Sequence, residues 1–105
     1  MKIAITSSDG INVDKHFGHA EHFYIYELTN HNFILLEKRK TDKYCVERGQ
    51  IENTNKLEDV YSVIKDCLVV YTMMIGEKPS AFLKERGIRT RIYSGAVNNI
   101  INYFI

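Results

Sequence analysis

Residues 2–28 read KIAITSSDGINVDKHFGHAEHFYIYEL, and the fold follows from how this stretch divides. Ile3, Ala4 and Ile5 are apolar in succession, as in a strand covered on both faces, so residues 2–6 form a first strand. Asp9-Gly10 is a turn signal inside a polar loop. His22 to Leu28, rich in aromatic and β-branched residues, forms a second strand. Between them His16, His19 and His22 are spaced by three around Gly18. Neutral imidazole is the commonest protein metal ligand, and a loop held between strands is where sites usually sit.

Working outward, Thr29-Asn30-His31-Asn32 is a hairpin turn into a third strand, Phe33 to about Lys40. Its charges Glu37, Lys38, Arg39 and Lys40 suit an edge, where they discourage pairing with another chain. A polar loop with Tyr44, Cys45 and Gly49 follows. Leu57, Val60, Tyr61 and Ile64 then share one face of a helix, with Asn55 and Glu58 as an N-terminal cap. Cys67–Thr72 (CLVVYT) is a continuous apolar strand, hence central and parallel. Pro79 opens a short helix with Phe82 and Leu83 inward, which Gly87 closes. Arg89–Tyr93 is a fifth strand, and Val97, Ile100, Ile101 and Phe104 mark a last helix.

The order β-β-β-α-β-α-β-α predicts an antiparallel meander feeding two right-handed crossovers. The expected product is an α/β domain spanning 1–105. Its mixed five-stranded sheet, in order 3-2-1-4-5, carries helices on its faces. Strands one and four are then neighbours whose connections leave in opposite directions. That predicts a crevice beyond their carboxyl ends, between the loops Ser7–Lys15 and Met73–Lys78.

Composition narrows the function classes. Hydrophobic residues make up 45% and charged residues 26%, as in ordinary globular domains. A formal net charge of +1 gives no electrostatic basis for binding nucleic acid or an anionic membrane. The apolar run in MKIAITSSDG is too short for a signal peptide, and no segment approaches the roughly 18 apolar residues of a membrane span. Two cysteines, Cys45 and Cys67, are too few for a disulfide framework, so reduced thiols in the cytoplasm are expected.

The chain resembles the NifX/NifB-type family, the dinitrogenase iron–molybdenum cofactor biosynthesis domain. The resemblance rests on Asp9-Gly10, Val13, His16-Phe17-Gly18, Ala20, Phe23 and Ile25-Tyr26. Tyr44-Cys45, Asp66-Cys67, Ile75-Gly76 and Gly87-Ile88 extend it over essentially the whole chain. It implies a ribonuclease-H-like fold and a NifX-like role in handling iron–sulfur precursors of the nitrogenase cofactor. It implies His16 as the first cluster contact and Cys45 as the next. The radical-enzyme cysteine motif of the larger NifB proteins is absent, so this stretch would not assemble a cluster alone.

Each residue also has a plainer reading. His16 could hydrogen-bond the Asp9 loop instead of a ligand, and His19 and His22 could be surface residues. Asp9 suits either a cation or the turn, with Gly18 and His19 beside it as candidate cofactor contacts. Cys45 could be an exposed loop thiol, Cys67 a small core residue, and Met73 and Met74 core packing. Cys45 with His16 could form a nucleophile–base pair, but no local catalytic signature accompanies them. A two-metal nuclease needs several carboxylates converging on the central strands, and only Asp9 follows strand one closely. The expectation is therefore a non-catalytic carrier or scaffold for an iron–sulfur cluster or iron–molybdenum cofactor precursor, working with assembly or acceptor proteins. Soft thiolate and imidazole donors favour iron–sulfur or zinc over magnesium or calcium. The alternatives are a metal-free interaction module and an uncharacterised thiol-dependent enzyme.

Overall fold

The structure, a computed structural model, describes residues 1–30, 32–41 and 54–103. The elements are β1 (Lys2–Thr6), β2 (Asn12–Val13), β3 (His22–Thr29), β4 (Asn32–Lys40), α1 (Thr54–Ile64), β5 (Val69–Thr72), α2 (Glu77–Glu85), β6 (Arg89–Ile92) and β7 (Gly95–Ala96). Two 3-10 segments join them, Phe17–His19 and Val97–Tyr103.

The main sheet runs β4-β3-β1-β5-β6. Strands β4, β3 and β1 are antiparallel neighbours, and β1, β5 and β6 are parallel. Strand β1 is central because its side chains are buried on both faces. Ala4 joins Phe23, Ile25 and Val70 under Leu57, Val60 and Ile64 of α1 and Leu83 of α2. On the opposite face Ile3 and Ile5 pack with Tyr26, Val69 and Tyr71 beneath Val97 and Ile100.

Helix α2 ends as its sequence dictates. Gly87 takes φ +85°, its N–H bonds the Lys84 carbonyl at 3.1 Å, and the Ile88 N–H bonds the Leu83 carbonyl at 2.9 Å. These are the two bonds of a Schellman stop, with Ile88 and Leu83 supplying its apolar contact. The helix starts at Glu77, so Pro79 sits two residues inside the first turn, where its missing N–H has no intrahelical acceptor to lose.

Other details differ from the sequence reading. Asn55 lies within α1 rather than at its cap. Strand β5 begins at Val69, two residues after Cys67, because the Cys67 amide still bonds Ile64 as the chain turns out of α1, and the first bond to β1 comes only from the Leu68 amide to Lys2. The last segment is 3-10, not α-helical; its three-residue repeat puts Val97 and Ile100 in register on one face, and both are buried. Phe104 lies outside the described residues. The short β2–β7 ladder pairs Asn12 with Ala96 and Val13 with Gly95, tying the loop after β1 to the segment after β6. Strand β4 is the charged edge, and Arg39 folds back to pair Asp66 at 2.7 Å and the Val63 carbonyl at 2.8 Å. Among the described residues no helix is long and apolar enough to cross a membrane.

Candidate functional site

Strands β1 and β5 each close on a threonine, and these two residues build the floor of the site. Thr6 and Thr72 are fully buried, with their hydroxyl oxygens 2.9 Å apart. Both hydroxyls also reach the Lys15 carbonyl, at 2.8 and 3.2 Å. The Met73 N–H bonds that same carbonyl at 3.0 Å, and the Phe17 N–H bonds the Met74 carbonyl at 2.8 Å. Lys15–Phe17 therefore lies across the carboxyl ends of β1 and β5. The crevice expected there is filled by backbone, because two buried hydroxyls and two strand-end peptide groups need partners once water is excluded.

This clamp fixes the histidines. His16 is extended, pairs with Met74 in a parallel bridge, and precedes the 3-10 turn Phe17–His19. One turn of 3-10 helix takes three residues, so side chains at i and i+3 eclipse. The His16 and His19 rings accordingly meet edge to face, with centroids 5.8 Å apart. His16 is half-buried and His19 exposed. Gly18, between them, is buried, as is Phe17, which packs on Phe23. Met74 is 57% exposed beside His16, so its thioether is a surface group and not core packing. His22 opens β3 and lines a separate small hollow of about 180 Å³ with Ser7, Ser8, Lys15 and Glu21.

Asp9 builds the loop. One carboxylate oxygen accepts the N–H groups of Ile11 and Asn12 at 2.8 and 3.0 Å and the Ser7 hydroxyl at 3.1 Å. The other faces the Asn12 amide at 3.4 Å. The amide donors of Asn12 and Ile11, with the Ser7 hydroxyl, hold its carboxyl down at about 2 against an ordinary 3.8. Asp14 does the same for Ser8, accepting its N–H at 2.8 Å and its hydroxyl at 2.6 Å. Both carboxylates are spent on turns. Gly10 has φ +79° and packs under Tyr24, while its carbonyl accepts the Tyr26 hydroxyl at 2.6 Å.

The cysteines part company. Cys67 is 2% exposed beneath α1, before β5, whereas His16 neighbours Met74 after that strand. Seven residues of extended chain place the two levels roughly 20 Å apart. Burial, with Asp66 beside it, pushes the Cys67 thiol up to about 12. Cys67 is thus a core residue, and among the described residues it joins no histidine. Cys45 lies outside the described residues, as does His31. Among the described residues no three histidine, cysteine or acidic side chains converge as a metal site. His16 and His19 come together; Asp9 serves the turn. The Thr6–Thr72 pair went unread in the sequence, although a threonine ending each of two apolar strands was its signal.

The family described as dinitrogenase iron-molybdenum cofactor matches residues 1–105. The FeMo cofactor biosynthesis protein NifB of Klebsiella pneumoniae is 36% identical over 89 residues, covering 82% of this chain and 19% of that protein. The NifB protein of Frankia alni is 33% identical over 87 residues, covering 82% and 17%. The chain thus spans about a fifth of these curated relatives. Among solved structures, the crystal structure of PH0822 superimposes with a TM-score of 0.72 at 24% identity, over 99% of this chain and 89% of that one. The NMR structure of a putative NifB protein from Thermotoga gives 0.62 at 22% identity, over 98% and 85%. At such identities the structural likeness establishes the fold alone.

Proposed function

The chain belongs to the dinitrogenase iron-molybdenum cofactor family, and on that premise we propose a non-catalytic binding protein for an iron–sulfur cluster or an iron–molybdenum cofactor precursor. It acts as carrier or scaffold, on a fold of the ribonuclease-H-like class, in the cytoplasm. It exchanges its cargo with cofactor-assembly or acceptor proteins and binds neither nucleic acid nor membrane.

One observation carries this reading. The two rings of His16 and His19 meet at 5.8 Å on a single 3-10 turn that is bonded to the ends of β1 and β5. Imidazole nitrogen suits iron, and backbone bonds fix the turn from which the two side chains project. A metallocluster arrives with its own bridging ligands, so a carrier needs few protein contacts. An incomplete ligand set also favours release to an acceptor. Cys45 is the next candidate contact, after His16. The non-catalytic part of the proposal draws on the sequence, which carries no local catalytic signature, and on Cys67, whose thiol is buried and raised to about 12.

A second reading, a metal-free interaction module, draws on the lack of a third convergent donor among the described residues. Anaerobic reconstitution with iron and sulfide separates the two. The carrier should gain visible charge-transfer absorption with stoichiometric iron, and His16→Ala and His19→Ala should weaken that loading. His31→Ala, the control substitution, should not. Equal loading in wild type and His16→Ala removes His16 from the site, and no loading at all favours the interaction module.

A further inference from the structure

The amino-terminal ends of the parallel strands lie at the other end of the sheet from the histidine turn. There the Leu68 N–H bonds the Lys2 carbonyl at 3.0 Å, and the Arg89 N–H bonds the Leu68 carbonyl at 2.9 Å. Side chains alternate along β6. Thr90 therefore turns toward α2, where its hydroxyl lies 3.0 Å from that of Ser80, and Arg89 and Arg91 take the opposite face. Their partners in register on β5 are Val69 and Tyr71. A hollow of about 410 Å³ opens on that face, with Val69 and Tyr71 as its buried floor, Leu68 and Met1 at its rim, and both arginines lining it. Strand β6 is the last of the sheet, so the hollow sits at an edge.

The first feature of this hollow is its charge. Arg39 is paired with Asp66 and Glu37, and Arg86 with Glu58 and Glu85. Among the described residues Arg89 and Arg91 have no ion pair. The Met1 ammonium is held by Glu27, and no described residue lining the hollow carries a carboxylate. Two steps of extended strand set the arginine backbones roughly 7 Å apart, close enough for both long side chains to reach one anion. Seating that anion also relieves the repulsion between them.

The second feature is apolar surface beside the charge. Leu68 is 53% exposed and Met1 37%, at the rim of the same hollow. A bare inorganic anion would satisfy the arginines and leave this surface in water. A neutral apolar ligand would cover the surface and leave the guanidinium groups unmatched. A carboxylate on an apolar body does both: the guanidinium fork fits its two oxygens, and covering the apolar side chains gains free energy with the area removed from water. The volume is that of a small-molecule site, which typically holds about 300–1,000 Å³.

We propose that this hollow binds a small carboxylic acid with an apolar body, Arg89 and Arg91 holding the carboxylate and Leu68 and Met1 covering the body over Val69 and Tyr71. The site is separate from the histidine turn and stands whatever cargo that turn carries.

The test is a titration of the whole chain with 2-naphthoate, followed by amide resonances at constant ionic strength set with chloride. Saturable shifts are expected at Leu68, Val69, Arg89 and Arg91, with His16 and His19 unmoved. The neutral analogue 2-naphthylmethanol should bind at least about tenfold more weakly, the equivalent of one lost charged hydrogen-bonded pair. R89Q/R91Q, which keeps much of each stem and removes both charges, should weaken 2-naphthoate by a similar factor. Leu68→Ala should weaken it severalfold. These three side chains are exposed, and the same spectra report whether each variant is folded. Shifts that grow linearly without saturating, or that centre on His16 and His19, overturn the site. Equal affinity for 2-naphthylmethanol, or unchanged affinity in R89Q/R91Q, overturns the role of the arginines. Acetate or inorganic phosphate binding as tightly as 2-naphthoate overturns the apolar half of the assignment.

Discussion

Gly10→Ala should be among the costliest single-methyl changes in this protein, and its cost divides into two parts. Gly10 sits at φ +79°, where an L side chain crowds the following carbonyl at about 1–2 kcal/mol. The added Cβ would also stand 2.6 Å from Tyr24 Cε2 and 2.8 Å from Cδ2, closer than carbon atoms approach. Relieving such overpacking costs typically 1–3 kcal/mol. Tyr24 is half-buried, with Lys38 over its ring at 5.8 Å, so the ring has some room to swing and the lower half of that range applies. The sum is about 2–4 kcal/mol, on the order of 10–20 °C in melting temperature for a domain this size. Urea denaturation measures it. The same substitution in a Tyr24→Ala background isolates the backbone part, and there the cost should fall to about 1–2 kcal/mol. A Gly10→Ala cost below about 0.5 kcal/mol would refute the argument, and an identical cost in both backgrounds would refute the steric part.

Tyr26→Phe removes the hydroxyl that donates to the Gly10 carbonyl at 2.6 Å and should cost about 1–2 kcal/mol by the same denaturation assay; an unchanged midpoint would show that the bond contributes nothing. The Asp9 carboxyl is depressed on folding, so its contribution to stability is present above 3.8 and is lost as the pH falls from about 4 to about 2. Thermal melts over that window should therefore fall more steeply for wild type than for Asp9→Asn, and parallel curves would contradict the assignment. Cys67, 2% exposed and with its thiol raised to about 12, should resist iodoacetamide in the folded protein and react once denaturant is added, as read by peptide mass mapping. Labelling of native Cys67 would place it at the surface.

Much of the fold was legible in the order of residues because its signals are local. Ile3-Ala4-Ile5 and the run ending Val69-Val70-Tyr71 are apolar without alternation, and both are buried in the sheet. Gly87 and Asn30 occupy positive φ where the turns were read. Boundaries were less legible. Cys67 looks like strand by composition but belongs to the turn out of α1, since hydrogen-bond partners and not hydropathy decide where a ladder begins. The final segment tightens into 3-10 geometry, a choice that spacing over a few residues does not distinguish from α.

The site divides in the same way. The spacing of three between His16 and His19 stands in the sequence, but their edge-to-face contact follows from a 3-10 turn that the sequence reading did not include. Sequence alone determined that Asp9 would make a turn, since the donors it uses lie within three residues of it. Only the tertiary structure decided that Lys15–Phe17 would close over β1 and β5. That contact joins residues more than 50 positions apart and depends on two threonines arriving at one level of a parallel pair. It also decided that Cys67 would end far from His16, and that Arg39 and Arg86 would find carboxylate partners. Pattern along a chain reports which face a residue takes and how the backbone bends locally. Which loops meet, and which charges remain uncompensated, depends on strand order and register, which couple residues that have no relation in the sequence.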